Sequence, residues 1–188
     1  VTDSDAEIRA VALDAALTEL QQWGVDRFSI EGVAHRCGVA PEQIGQLWHS
    51  PRDLVVDALT SSTSSAIRTP DTGSLAEDLT ELAVSVGHYL NEQVGRRIAR
   101  MLVIDSKSHT VDDETRHLFW HHHLPVMETI LTRATRRGEI HLEFRAIHVL
   151  QLLTAPLQTC ALYSSAPVEP GYCRAIAHLV TRAVSTGS

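Results

Sequence analysis

Gln43 and Gln46 are two carboxamides three residues apart, with Glu42 beside them. A glutamine pairs through its oxygen and nitrogen with the edge of an adenine, and a glutamate accepts from the amino group of a cytosine. Three such side chains on one face of a short helix suit the reading of a DNA major groove; the plain alternative is a solvated helix face. Ser29, upstream, is a hydroxyl at a helix start, where it and the terminal N–H groups hold a phosphate or serve as an ordinary cap. His49, just past the same short helix, is placed to reach a phosphate as well.

A second group of residues suggests a different chemistry. His117 and His121 fall at i, i+4, and His122 and His123 follow directly. Histidine pairs on a helix bind metal when a third or fourth ligand arrives from elsewhere, and His88, His109, His141 and His148 are the available additions. Consecutive histidines point in different directions and no metal-binding signature fixes a set, so no metal site is expected. Tyr89, Met101, Phe119, Trp120, His123, Met127 and Tyr163 are candidates to line a small-molecule pocket, since such cavities use aromatic and thioether side chains with a few polar groups. Each is equally suited to plain core packing. There is no Gly-rich phosphate loop, nucleophile elbow or paired-carboxylate motif, so neither an enzyme nor a cofactor is expected.

The elements that must position these side chains follow from local signals. Ile30, Val33, Ala34 and Cys37 recur at i, i+3, i+4 and i+7, one apolar stripe of a short helix opened by Ser29 and ended by Gly38. Pro41 suits the first position of the next helix, whose inward side is Ile44, Leu47 and Trp48 and whose outward set is Pro41, Glu42, Gln43, Gly45 and Gln46. Two short helices joined by a Gly-containing turn spell a helix-turn-helix. Ahead of it a longer helix, Asp5 to Trp23, carries Val11-Ala12, Ala15-Ala16 and Leu20 on one side and ends at Gly24. Behind it Ser50-Pro51 opens a fourth helix with Leu54, Val55, Ala58 and Leu59 inward.

In this order the first third of the chain resembles the tetracycline-repressor (TetR) family of one-component regulators. The residues that carry the resemblance are Ala15-Ala16-Leu17, Gly24, Val33-Ala34, Gly38-Val39, Trp48 and Leu54, and Ile130 to Phe144 is similar to a helix junction of the family's ligand-binding domains. The resemblance implies an all-α protein: a helix-turn-helix DNA-binding domain over residues 1–68, and a helical ligand-binding and dimerisation domain over 69–188. It implies a ligand-responsive regulator, a repressor by expectation, bound as a homodimer to a palindromic double-stranded operator and released by a small-molecule effector that moves the fourth helix. Ser29 stands where the family has Thr and Trp48 where it has Phe. Gly45 and Leu47 stand at a usual Tyr, and Pro51 at a usual Lys, so a backbone contact is lost unless Arg52 supplies it.

Beyond residue 68 the pattern predicts five more stretches of helix. Leu75 to Val94 is amphipathic, Arg96 to Lys107 has apolar residues on mixed faces, and Asp112 to Arg137 starts acidic and ends basic, with Pro125 expected to kink it. Phe144 to Tyr163 and Glu169 to Ser185 close the chain, the first apolar almost all round with a bend expected at Pro156. Such a helix needs a partner beyond its own domain, and the resemblance implies the same helix pair of a second subunit. The polar stretch from Thr60 to Ser74 marks the domain junction, its Ser/Thr run doubling as a candidate end for the fourth helix.

Bulk properties agree with this class and add one tension. A 188-residue chain that is 44% hydrophobic and 5% aromatic suits an Ala/Leu/Val-rich helical protein. No apolar run is long enough to span a membrane and no leader is seen, so a cytoplasmic protein is expected. Cys37, Cys160 and Cys173 are expected as reduced thiols, with Cys160 and Cys173 as the one possible redox pair. The net charge is −7, and through Arg68 five arginines face ten carboxylates. Nucleic-acid-binding modules ordinarily carry a basic footprint. Together with Gly45, Leu47 and Pro51, that balance supports a rival expectation, a helical ligand-binding or protein-interaction dimer whose DNA-reading end has degenerated.

Overall fold

The first helix, α1 (Asp3–Trp23), buries a face of small residues, Ala12, Ala15 and Ala16, followed by Leu20. Small side chains let neighbouring backbones approach closely, and α2 (Ile30–Cys37) and α3 (Pro41–Leu47) both pack on this face. Gly24 ends α1 at φ +73 and Gly38 ends α2 at φ +71, left-handed positions that only glycine occupies without strain. Pro41 is at the start of α3, and the Trp48 N–H closes it on the Ile44 carbonyl at 3.0 Å. Ser50 Oγ then accepts from the Asp53 N–H at 3.1 Å and opens α4 (Pro51–Ala66). Val33, Ala34, Ile44, Trp48, Leu54 and Ala58 complete one hydrophobic cluster with the alanines of α1. A single 3-10 turn, Val25–Arg27, lies between α1 and α2.

The computed structural model describes residues 3–103, 113–140 and 145–185. Among them are nine α-helices, the further five being α5 (Leu75–Asn91), α6 (Gln93–Val103), α7 (Asp113–Arg136), α8 (Ala146–Tyr163) and α9 (Pro170–Val184). The only strand-like pairing among these residues is an isolated bridge between Ile140 and Ser185. Contacts divide the chain into two units: Val1–Ser62 with Arg100–Phe119, and Thr63–Ala99 with Trp120–Ser188. His109, His141, Phe144 and the expected helix residues 104–107 lie outside the described residues.

The Ser/Thr run at 60–65 is helix. Thr60 is buried and its hydroxyl donates to the Val56 carbonyl at 2.8 Å, satisfying itself on the helix's own backbone. The polar linker is therefore shorter than composition suggests, and it is tied down. Arg133 Nη1 donates to the Pro70 carbonyl at 2.8 Å, and the Thr72 N–H and hydroxyl both donate to Asp78 Oδ1 at 2.7 Å.

The second unit is built on α5, which packs against α8 and α9. Its core includes Leu79, Leu82, Met127, Ile130, Leu153 and Leu157. Gly87 of α5 lies against Cys173 Sγ of α9, so these two helices approach closely. The connection between α8 and α9 is held by polar contacts: Asn91 Nδ2 donates to the Val168 carbonyl at 3.1 Å and the Val168 N–H donates back at 2.7 Å. Arg96 donates to the carbonyls of Ser164 and Ala166 at 2.9 and 3.2 Å. Pro125 and Pro156 sit inside continuous helices, each removing one backbone donor without ending its helix.

Candidate nucleic-acid interface

Ile44 is fully buried and Trp48 nearly so, which fixes the rotation of α3 about its axis. Pro41, Glu42, Gln43, Gly45 and Gln46 consequently all lie on the exposed side, the set left outward when Ile44, Leu47 and Trp48 face in. His49 is exposed two residues past the helix. Ser29 caps α2, its Oγ accepting from the Gly32 N–H at 3.0 Å, so the capping role is occupied while the half-buried hydroxyl keeps its own proton to donate. A short helix held by its buried side, with two carboxamides and a carboxylate outward, presents the donors and acceptors that base edges require.

Arginines are the usual phosphate contacts, and in this unit they have other partners. Arg9 pairs with Asp57, and its guanidinium carbon lies 4.8 Å from the centroid of the Trp48 ring. Arg36 donates through Nε and Nη2 to Glu19 Oε2 at 3.3 and 2.9 Å, and through Nη2 to Gln22. Arg52, half-buried in the first turn of α4, pairs with Glu114 in the first turn of α7. Arg27 stacks on the exposed Trp23 ring at 5.0 Å. Two of the carboxylates that precede Arg68, Glu19 and Asp57, and the later Glu114 are thus specific partners for arginine.

Sequence reasoning did not find Glu19, Asp57 or Glu114 in these roles. Their partners lie 17, 48 and 62 positions away, beyond any periodic signal. A buried Glu19 on the inward side of α1, where an apolar residue would fit the stripe, is the one visible hint.

The pocket candidates are scattered in character. Tyr89, Phe119 and Met127 are buried, and Met101, Trp120 and His123 are half-buried. Met101 and Phe119 fall in the first unit, and Tyr89, Trp120, His123 and Met127 in the second. Tyr163 is 88% exposed at the end of α8, so it stands on the surface of the single chain and not in an interior. His122 Nε2 lies 3.2 Å from Ser64 Oγ, and the His122 and His123 rings meet edge to face at 5.4 Å. Among the described residues no group of three or more His, Cys, Asp or Glu side chains is arranged to hold a metal ion. Cys37, Cys160 and Cys173 are free, and burial pushes the Cys173 thiol up from its ordinary value, which keeps it unreactive. No helix among the described residues is long and apolar enough to cross a membrane.

Residues 69–180 match the family model described as "Tetracyclin repressor-like, C-terminal domain". The HTH-type transcriptional regulator AqdR of Rhodococcus erythropolis is 31% identical over 135 residues, covering 72% of this chain and 65% of that protein. An uncharacterized HTH-type transcriptional regulator of Mycobacterium bovis, Mb1581, is 30% identical over 131 residues, covering 68% and 63%. The matched part therefore spans just under two thirds of the length of these relatives. In fold, the chain is similar to a TetR transcriptional regulator from Agrobacterium tumefaciens, with a TM-score of 0.71 at 17% identity over 95% of this chain and 94% of the other.

Proposed function

The chain belongs to the tetracycline-repressor family, and from that premise we propose that it is a ligand-responsive DNA-binding transcriptional regulator, a repressor, that works as a homodimer in the cytoplasm. The observation that carries the DNA-binding half is α3, with Ile44 and Trp48 buried beneath it and Glu42, Gln43 and Gln46 exposed. Gln43 and Gln46 are the base readers; Ser29, His49 and Arg52 hold the backbone, and Pro41 and Gly45 let the helix lie close to the groove.

Dimerisation is supported by α8 and α9. His148, Leu152, Ala155, Thr159 and Tyr163 form one exposed stripe on α8, with Leu152 53% exposed. On α9, Tyr172, Ala175, Leu179 and Ala183 form another, with Leu179 60% exposed. Two apolar stripes at helical spacing are what a four-helix interface between copies buries. Tyr163 belongs with this face by its exposure. The effector is a small organic molecule, with Tyr89, Trp120, His123 and Met127 of the second unit as its contacts, and its entry moves α4 and changes the spacing of the two α3 helices.

Selection from a random pool of duplexes tests this reading. A dimer of this kind enriches a palindrome whose half-sites are centred about one helical turn apart, roughly 34–36 Å. The pairing of Arg9, Arg36 and Arg52 with carboxylates favours the rival, a ligand-binding dimer with a degenerated DNA-reading end. An unenriched pool even at low salt would establish the rival.

A further inference from the structure

Arg52 is the second residue of α4, in the turn that Ser50 opens, and it follows the exposed end of α3 by only a few positions. The Arg52 side chain is 32% exposed, and that of the residue it meets, Glu114, is 64% exposed. Both residues belong to the first unit. Neighbouring Asp113 pairs with Arg116 at 2.6 Å, while Glu114 pairs with Arg52.

We propose that Glu114 is an intrachain competitor for DNA phosphate: it holds the Arg52 guanidinium that would otherwise contact the backbone beside α3. The inference rests on the reading of α3 and the start of α4 as a nucleic-acid interface. A carboxylate and a phosphate offer a guanidinium fork the same pair of acceptor oxygens, so Arg52 serves one at a time. Because Glu114 is open to solvent and the Arg52 side chain is partly so, the pair is weak and reversible, and a polyanion displaces it. Glu114 therefore lowers duplex affinity without abolishing it, at a position far in sequence from the helix-turn-helix. It also restrains sequence-independent binding, since the contact it competes with is to the backbone and not to a base.

The test is a double-substitution cycle on the full chain. Binding of a fluorescent duplex of arbitrary sequence is followed by anisotropy at low ionic strength for the unsubstituted chain, Glu114→Gln, Arg52→Gln and the double variant. Glu114→Gln tightens binding by about two- to five-fold per subunit, the range of an exposed ion pair. In the Arg52→Gln background the same substitution gives no gain. An equal gain in both backgrounds would show that Glu114 acts only by through-space repulsion and would overturn the proposal. Binding by the unsubstituted chain with no gain in Glu114→Gln would overturn it too, while leaving the interface intact. If neither protein binds, the interface reading fails and the competitor with it.

Discussion

Asp57 Oδ2 accepts from the Trp48 indole N–H at 2.9 Å and from the guanidinium of Arg9, which also lies over the Trp48 ring. One carboxylate on α4 thereby fastens the residue that closes α3 to both α1 and α4. Apolar burial sets the rotation of α3, and this polar contact sets where its end lies. Asp57→Ala leaves the buried indole N–H without its acceptor, a loss of about 1–3 kcal/mol. Asp57→Asn keeps an acceptor and loses only the exposed ion pair, so it costs less. Urea denaturation of the two variants orders them, and equal losses would contradict the account.

Glu19 and Gly32 are a second matched pair. A Cβ on Gly32 would fall 2.9 Å from Glu19 Cδ and closer still to its Oε1, while Arg36 holds that carboxylate in place. Gly32→Ala is expected to cost about 1–3 kcal/mol through overpacking. In a Glu19→Ala background the clash with the carboxylate is gone and only Ser29 Oγ, at 3.1 Å, remains close, so the same substitution costs less, helix propensity offsetting up to about 1 kcal/mol. Thermal melts of the four proteins measure the coupling.

Gly45 behaves differently, because nothing lies within 4 Å of where its Cβ would be. Gly45→Ala therefore stabilises the chain by about 0.5–1 kcal/mol, the backbone-entropy difference in a helix interior. A fall in the denaturation midpoint would show that the open space is used by something in the folded chain.

Glu139 links stability to pH. The Arg137 side chain, and then the Leu75 N–H that donates to it at 2.6 Å, hold its carboxyl below the ordinary value of 4.5. A carboxyl depressed on folding contributes stability that is fully present above its unfolded value and is lost as pH falls through the folded one. Acid titration of the folded fraction should therefore steepen below about pH 4.5 and flatten in Glu139→Gln. Unchanged steepness in the variant would assign the acid sensitivity to other carboxyls.

The exposed stripes on α8 and α9 predict the response of assembly to charge. Leu152→Glu and Leu179→Glu place carboxylates on a face meant to be buried between copies, a cost well above the ~2 kcal/mol gained by burying a leucine. Sedimentation should report a dimer for the unsubstituted chain and monomers for the variants, with helicity retained. Unaltered mass in both variants would remove these helices from the interface.

Local signals made the helix-turn-helix legible. Ser29, Gly38 and Pro41 act within a turn of their own positions, through a cap, a left-handed φ and a preset φ, and the stripe of Ile44 and Trp48 told which side of α3 faces inward. The contacts that hold the unit together were not legible, because an ion pair such as Arg52 with Glu114 depends on where two distant segments arrive. Composition left Thr60–Ser65 open between a linker and the end of the fourth helix; the run is helix, and the Thr60 hydroxyl bonds back to its own backbone. At Tyr163 residue type alone does not separate a pocket from an interface, and only the fold shows it exposed on the single chain.

The most direct measurement of the central claim is anisotropy on a duplex recovered by selection, with Gln43→Ala and Gln46→Ala compared at two salt concentrations. The account predicts specific binding that weakens with salt, and a loss of about 1–3 kcal/mol of discrimination for each glutamine while binding to unrelated duplex stays the same. Equal affinity of the variants and the unsubstituted chain for the selected duplex would contradict it, because α3 would then not be the element that reads DNA.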